Sequence, residues 1–262
     1  MVTNGAVTGR GTHSVIANVP RVSSYLGEEC RSLFHAGPGV MIGADAAGLE
    51  LRMLAHFMAR FDGGEYVKVV TEGDVHTTNQ EAAGLETRDN AKTFIYAFNY
   101  GAGDRKLGSI ADPYGSENSQ KLQGKALRRN FYRRVPAIKS LIDTVKRTAK
   151  ERGYLIGLDG RKLHVRSEHM ALNTLLQSAG AVTMKKATVL LDQHLRERGY
   201  SDEVFNAIHM HDEYQMICYN ESIKQEVGEL MVQCIVEAGE HFNLRCPLDG
   251  EYKIGKTWAD TH

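Results

Sequence analysis

The spacing of apolar and polar positions changes period several times along the chain, and each change marks an element. Val40 to Asp45 is a short apolar run with β character, and from Leu49 to Arg60 the apolar residues recur at helical intervals. A strand that ends in Asp and runs into a helix holds that carboxylate at its C-terminal edge, a usual position for chemistry. Thr87 is placed to cap a helix in which Arg88, Lys92, Tyr96 and Tyr100 recur every four residues. At about 100° per residue each such step drifts roughly 40°, so the four form one broad stripe on one face. Gly101 and Gly103 end that helix. Glu117 to Arg134 and Pro136 to Arg152 read as two more helices, the second with Pro in its first turn.

Tyr154 to Val165, with Asp159-Gly160 at its centre, has the signature of a hairpin. Ser167 then caps a long helix that reaches about Arg198. Phe205 to Met210 and Tyr214 to Tyr219 pair as a second hairpin, with His211-Asp212-Glu213 at its tip. A helix from about Ser222 to Phe242 and a short strand near Tyr252 follow, while residues 1–35, rich in Gly, Ser, Thr and Val, predict loops and short strands. The pattern is that of an α+β protein in which one sheet carries Asp45 and the 211–213 tip, with a helical block inserted between them.

A chain of 262 residues with 42% hydrophobic and 24% charged residues has the composition of an ordinary globular protein. No apolar stretch approaches the length of a membrane span, and Met1 is not followed by a signal segment. Cys30, Cys218, Cys234 and Cys246 are dispersed without a Cys-x-x-Cys pair, which suggests reduced thiols in a cytoplasmic protein and neither a disulfide frame nor a zinc site. The net charge is zero, but its distribution is uneven. Lys121 to Arg152 is strongly basic and Asn220 to Glu251 strongly acidic, as suits a protein with one face on a phosphate backbone; two solvated helix faces of opposite sign explain it equally well.

Asp45 and Asp212-Glu213, brought together by folding, could hold two divalent metals roughly 3.5–4 Å apart, the geometry that activates an attacking oxygen and stabilises a leaving phosphate. Arg88 and Lys92, one turn apart on a helix, could grip a triphosphate. Together these features point to nucleotidyl transfer.

The same residues carry a resemblance. Asp45-x4-Glu50-Leu51-Arg52, Arg88-x3-Lys92-x6-Asn99-Tyr100-Gly101 and His211-Asp212-Glu213 resemble the three motifs of family A DNA polymerases. The wording of residues 88–96 and 171–181 is similar to the replicative polymerases of short-tailed lytic phages, and the likeness runs from Thr8-Gly9-Arg10 to His262. It implies a palm at 1–60 and 156–262, with motifs at 43–52 and 211–213, and helical fingers at 61–155, with the nucleotide helix at about 88–100. It further implies two Mg²⁺ ions on Asp45, Asp212 and the Ala46 carbonyl, with Glu213 in support. Lys92, Arg88 and His76 would contact the triphosphate of an incoming dNTP. Glu50 would act as the steric gate against a 2′-hydroxyl, Tyr96 would lie beside the sugar's 3′ edge, and Tyr100 beside the templating base. Arg10, Asn173, Gln177 and His211 would contact the DNA primer-template.

Relative to that family the thumb and the 3′-5′ exonuclease are missing from the sequence. The expectation is therefore a separate polypeptide that supplies them, docks against an unpaired sheet edge near the first 35 residues, and carries any processivity factor. The function implied is primer extension in phage replication within the host cytoplasm. A single-subunit RNA polymerase fragment and a non-catalytic DNA-binding remnant are the rival readings. Glu50 disfavours the first; the intact Asp45, Asp212, Lys92 and Arg88 disfavour the second.

Overall fold

The structure is a computed structural model that describes residues 2–262. In chain order it forms α1 (Gly27–Ser32), β1 (Val40–Ala46), α2 (Leu49–Asp62), α3 (Glu65–Glu72), α4 (Val75–Ala83), α5 (Arg88–Asn99), α6 (Asp104–Ala111), α7 (Glu117–Arg134) and α8 (Pro136–Arg152). There follow β2 (Tyr154–Ile156), β3 (Lys162–His164), α9 (Ala171–Glu197), β4 (Val204–Met210), β5 (Glu213–Cys218), α10 (Lys224–His241) and β6 (Gly250–Gly255). Two compact units result, one of Met1–Glu50 with Gln177–His262 and one of Leu51–Leu176.

The first unit is built on an antiparallel sheet of order β4-β5-β1-β6. Side chains alternate across a strand, so its two faces carry different residues. One face packs on α10, where the Tyr214 hydroxyl donates to the Met231 carbonyl and Val227, Leu230, Met231, Ile235 and Ala238 are buried. Each of the Val, Leu, Met and Ile side chains stabilises the fold by about 1.5–3 kcal/mol. Gly228 permits the approach of α10, since a Cβ there would lie 2.3 Å from the Tyr252 ring. On the opposite face Met41 clusters with Ala36, Ile208 and Trp258.

Residues 2–35 depart from the expected short strands. They form turns, a 3-10 turn at Ile16–Asn18 and α1, and their ladder contacts are the isolated bridges Val2↔Thr12 and His35↔Thr257. Without a sustained apolar alternation they have no face to offer a sheet. The sheet edges are β4 and β6; residues 34–36 hydrogen-bond to the segment just after β6, Ile16 and Val19 pack on the cluster that includes Ile208 of β4, and β4 is blunted by a register shift between Asn206 and Ile208.

In the second unit, α6 and α7 meet through Gly108 and Gly124, where an added Cβ would fall 1.7 and 1.8 Å from a backbone carbonyl oxygen of the facing segment. Phe94 and Phe98 of α5 pack edge-on against Phe131 of α7 at 5.4 and 5.2 Å between ring centres. Thr87 caps α5 as expected, its hydroxyl accepting from the Asn90 N–H at 3.1 Å. Ser167 does not cap α9; a 3-10 turn at Glu168–Met170 intervenes, and the Ser167 hydroxyl faces His169 instead.

Candidate active site

In the first unit, β1 and β5 bring the acidic residues together. Asp45 pairs with Glu213 in the antiparallel register, and the Ala46 N–H donates to the Asp212 carbonyl at 3.0 Å. The hairpin tip is shorter than expected. Glu213 belongs to β5, so the turn consists of His211 and Asp212, with His211 in the left-handed region at φ 60°. That conformation costs a non-glycine residue about 1–2 kcal/mol, strain of the kind found at functional sites.

Asp45 is the residue of β1 that reaches solvent, the other six being buried. Its carboxyl is nevertheless pushed up to about 7, by the packed atoms around its base and then by the Asp212 and Glu213 charges. A carboxyl that resists ionisation beside other carboxylates is what a hard divalent cation stabilises in its charged form. The donor set of Asp45, Asp212 and the adjacent strand-end backbone therefore fits Mg²⁺.

Glu213 has a different environment. It is 4% exposed, and its Oε1 accepts from the Gln215 amide at 2.7 Å and the Trp258 indole N–H at 2.5 Å. His262 Nδ1 lies 2.9 Å from the other oxygen. Burial alone would raise the pKa of Glu213, but the hydrogen bonds from His262, Gln215 and Trp258 outweigh it and hold it below the usual value. Gly43 makes room for this arrangement, because a Cβ there would meet the Gln215 side chain at 2.3 Å and the Thr261 carbonyl at 2.7 Å. The Arg31 guanidinium covers the Trp258 ring at 4.1 Å from its centre. Gln215, Trp258 and His262 were missed by sequence reading; the signal present was a lone Trp and polar residues at inward positions of otherwise apolar segments.

Glu50 lies in the first turn of α2, half-buried, and Gln177 is half-buried on α9. Arg10 and His211 line one small crevice together with His13, Lys185 and His209. Burial and the Arg10 charge lower the pKa of His211.

In the second unit, α5 buries Ala91, Phe94, Ile95 and Phe98 and turns the Arg88, Lys92, Tyr96 and Tyr100 stripe outward. His76 sits in the first turn of α4 with Nδ1 buried and unpartnered. Burial, Arg88 and Lys92 all lower its pKa, which marks a site of concentrated positive charge. Arg88 is held by Asp74, Nε to Oδ2 at 2.8 Å and Nη2 to Oδ1 at 3.2 Å. The same carboxylate caps α4 through the His76 and Thr77 N–H groups, and it was not anticipated from the sequence. Arg88, through this paired geometry, lowers the Asp74 pKa further than the capping bonds do. Asn173 is 8% exposed, with its amide oxygen unpartnered among the described residues. Arg128, from the basic segment, is structural: it bonds Asp104 at 2.9 Å and the Ala102 carbonyl at 2.7 Å.

The sequence profile of DNA polymerase family A matches residues 1–260. The chain is 45% identical over 288 aligned positions to the DNA-directed DNA polymerases of Enterobacteria phage T3 and Escherichia phage T7, covering 99% of this chain and 40% of each relative. It is 29% identical to DNA polymerase I of Aquifex aeolicus, over 97% of this chain and 45% of that one. Its fold is similar to the polymerase domain of Pol1 from M. smegmatis, solved in complex with DNA primer-template and dNTP. The TM-score is 0.82 at 22% identity, over 97% of this chain and 47% of that one. The chain thus spans about two-fifths of the length of the phage relatives it matches.

Proposed function

Because the chain belongs to DNA polymerase family A, we propose that it contains the palm and fingers of a template-directed DNA polymerase that extends a primer 3′-hydroxyl with dNTPs. The observation that carries this reading is the meeting of Asp45 and Asp212 at the end of the sheet, where the Asp212 charge opposes ionisation of Asp45. Asp45, Asp212 and the Ala46 carbonyl would hold Mg²⁺, which when bound activates the attacking oxygen and neutralises charge on the leaving pyrophosphate. Glu213, engaged by Gln215, Trp258 and His262, positions the β1–β5 end and does not ligate.

Arg88, Lys92 and His76 bind the triphosphate. Phosphoryl transfer demands mainly positioning and charge stabilisation, which clustered cations supply. Lys92 Nζ gives its proton to the departing pyrophosphate. Glu50 excludes a 2′-hydroxyl, the Tyr96 hydroxyl stands in for a missing 3′-hydroxyl, and Tyr100 stacks near the templating base. Arg10, His211, Gln177 and Asn173 contact the terminal base pair and primer backbone, where minor-groove acceptors lie in similar places for every correct pair. Duplex grip and proofreading belong to parts of a polymerase outside these residues, whether in a longer chain or a separate polypeptide, with any processivity factor bound there. The site of action is the cytoplasm of the infected host. The test is primer extension by Asp45→Asn and Asp212→Asn. Each should lose nearly all activity while its circular dichroism matches the parent, and substantial activity in either variant refutes the assignment.

A further inference from the structure

A second group of metal-binding side chains lies in the first unit, apart from the acidic strand ends. His194 stands near the C-terminal end of α9, and Cys234 and Glu237 lie one turn apart on α10. His194 Nε2 is 3.0 Å from Glu237 Oε2, and with the Cys234 sulfur the three donor atoms all lie within 4.8 Å of one another. We propose that His194, Cys234 and Glu237 bind one Zn²⁺ ion, with water as the fourth ligand, and so fasten the end of α9 to α10.

The chemistry of the donors selects the metal. One imidazole nitrogen, one sulfur and one carboxylate oxygen suit a borderline-soft ion that accepts four ligands, whereas Mg²⁺ and Ca²⁺ require oxygen. Tetrahedral bonds of about 2.0–2.3 Å separate ligand atoms by roughly 3.3–3.8 Å, so donor atoms at most 4.8 Å apart need to close by no more than about 1.5 Å. A thiolate and a carboxylate balance the charge of Zn²⁺, leaving a neutral centre beside the fully buried Cys234.

The surroundings already orient the ligands. The Gln233 amide donates to Glu237 Oε1 at 2.6 Å, which leaves Oε2 for the metal. A Glu197 oxygen lies 3.6 Å from His194 Nδ1, placed to receive the ring N–H once Nε2 turns to the metal. Arg198 is the neighbouring cation; its Nε bonds Glu226 at 3.2 Å, which compensates its charge, and its Nη1 lies 3.3 Å from the His194 carbonyl and 3.4 Å from Nδ1, so it keeps the carbonyl bond and gives up Nδ1 when that nitrogen carries the proton.

Binding replaces the Cys234 S–H bond by an S–Zn bond and releases that proton to solvent, and it requires the His194 ring N–H to sit on Nδ1 so that Nε2 can ligate.

Co²⁺ serves as the optical probe on chelator-stripped protein. The expected result is a thiolate-to-cobalt charge-transfer band in the near ultraviolet that saturates at one ion per chain and disappears on adding Zn²⁺. Cobalt on the catalytic carboxylates gives no such band. Cys234→Ser should abolish it and Cys30→Ser should leave it intact. His194→Gln and Glu237→Gln should each weaken cobalt binding by at least about tenfold, and these two decide the matter if Cys234→Ser does not fold. Absence of the band in the parent protein, or its survival in Cys234→Ser, overturns the proposal.

Discussion

Trp258→Phe tests whether the acidic end of the sheet is held from behind. The substitution keeps an aromatic ring in a fully buried position but deletes the indole N–H that donates to Glu213 Oε1. A hydrogen bond to a buried charge contributes about 1.5–3 kcal/mol. The smaller ring also leaves a void and weakens the contact with the Arg31 guanidinium 4.1 Å above it, for roughly another 1 kcal/mol. The expected loss is therefore about 3 kcal/mol. In a domain of this size each kcal/mol lowers Tm by about 2–4 °C, so the variant should melt roughly 6–12 °C below the parent. Thermal unfolding followed by circular dichroism measures this directly. Primer extension below the new melting point should also be slower, because Glu213 loses one of the three donors that fix it beside Asp45 and Asp212. A Tm within about 2 °C of the parent would show that the indole bond does not hold Glu213, and the positioning role would fall with it.

Three further outcomes are expected. Glu50→Ala should admit ribonucleotides, and unchanged discrimination between dNTP and rNTP would remove Glu50 from the gate. Tyr96→Phe should reduce dideoxynucleotide use selectively, since only a hydroxyl is lost; an equal effect on dATP and its dideoxy analogue would make Tyr96 structural. Asp74→Asn keeps a competent helix cap but breaks the paired contact with Arg88, so KM for dNTP should fall by roughly two- to fivefold, more at low salt. An unchanged KM would place Arg88 away from the triphosphate.

Local physics is what the sequence encodes most plainly. The Thr87 cap and the four-residue recurrence from Arg88 to Tyr100 defined α5 and its outward stripe, because helix start and amphipathic face depend on neighbours within a few residues. The apolar run ending in Asp45 and the hairpin around 211–213 located both acidic motifs for the same reason. The short helices α3, α4 and α6 escaped notice, since eight or nine residues carry too few turns for a periodic signal. Apart from the meeting of Asp45 with the 211–213 tip, pairing between distant segments was beyond reach. Trp258 meets Glu213 from 45 residues away, and Asp74 meets Arg88 from 14. His194 comes within hydrogen-bond distance of Glu237 across 43. Such contacts form when sheet register and helix packing bring separate elements together, and no spacing along the chain records that. The sequence alone determined which residues carry the charge. Only the tertiary structure decided that Glu213 is fixed by three donors, that Arg88 is paired with Asp74, and that a buried thiol stands beside a His–Glu pair, because burial and neighbouring charge are properties of the folded surroundings.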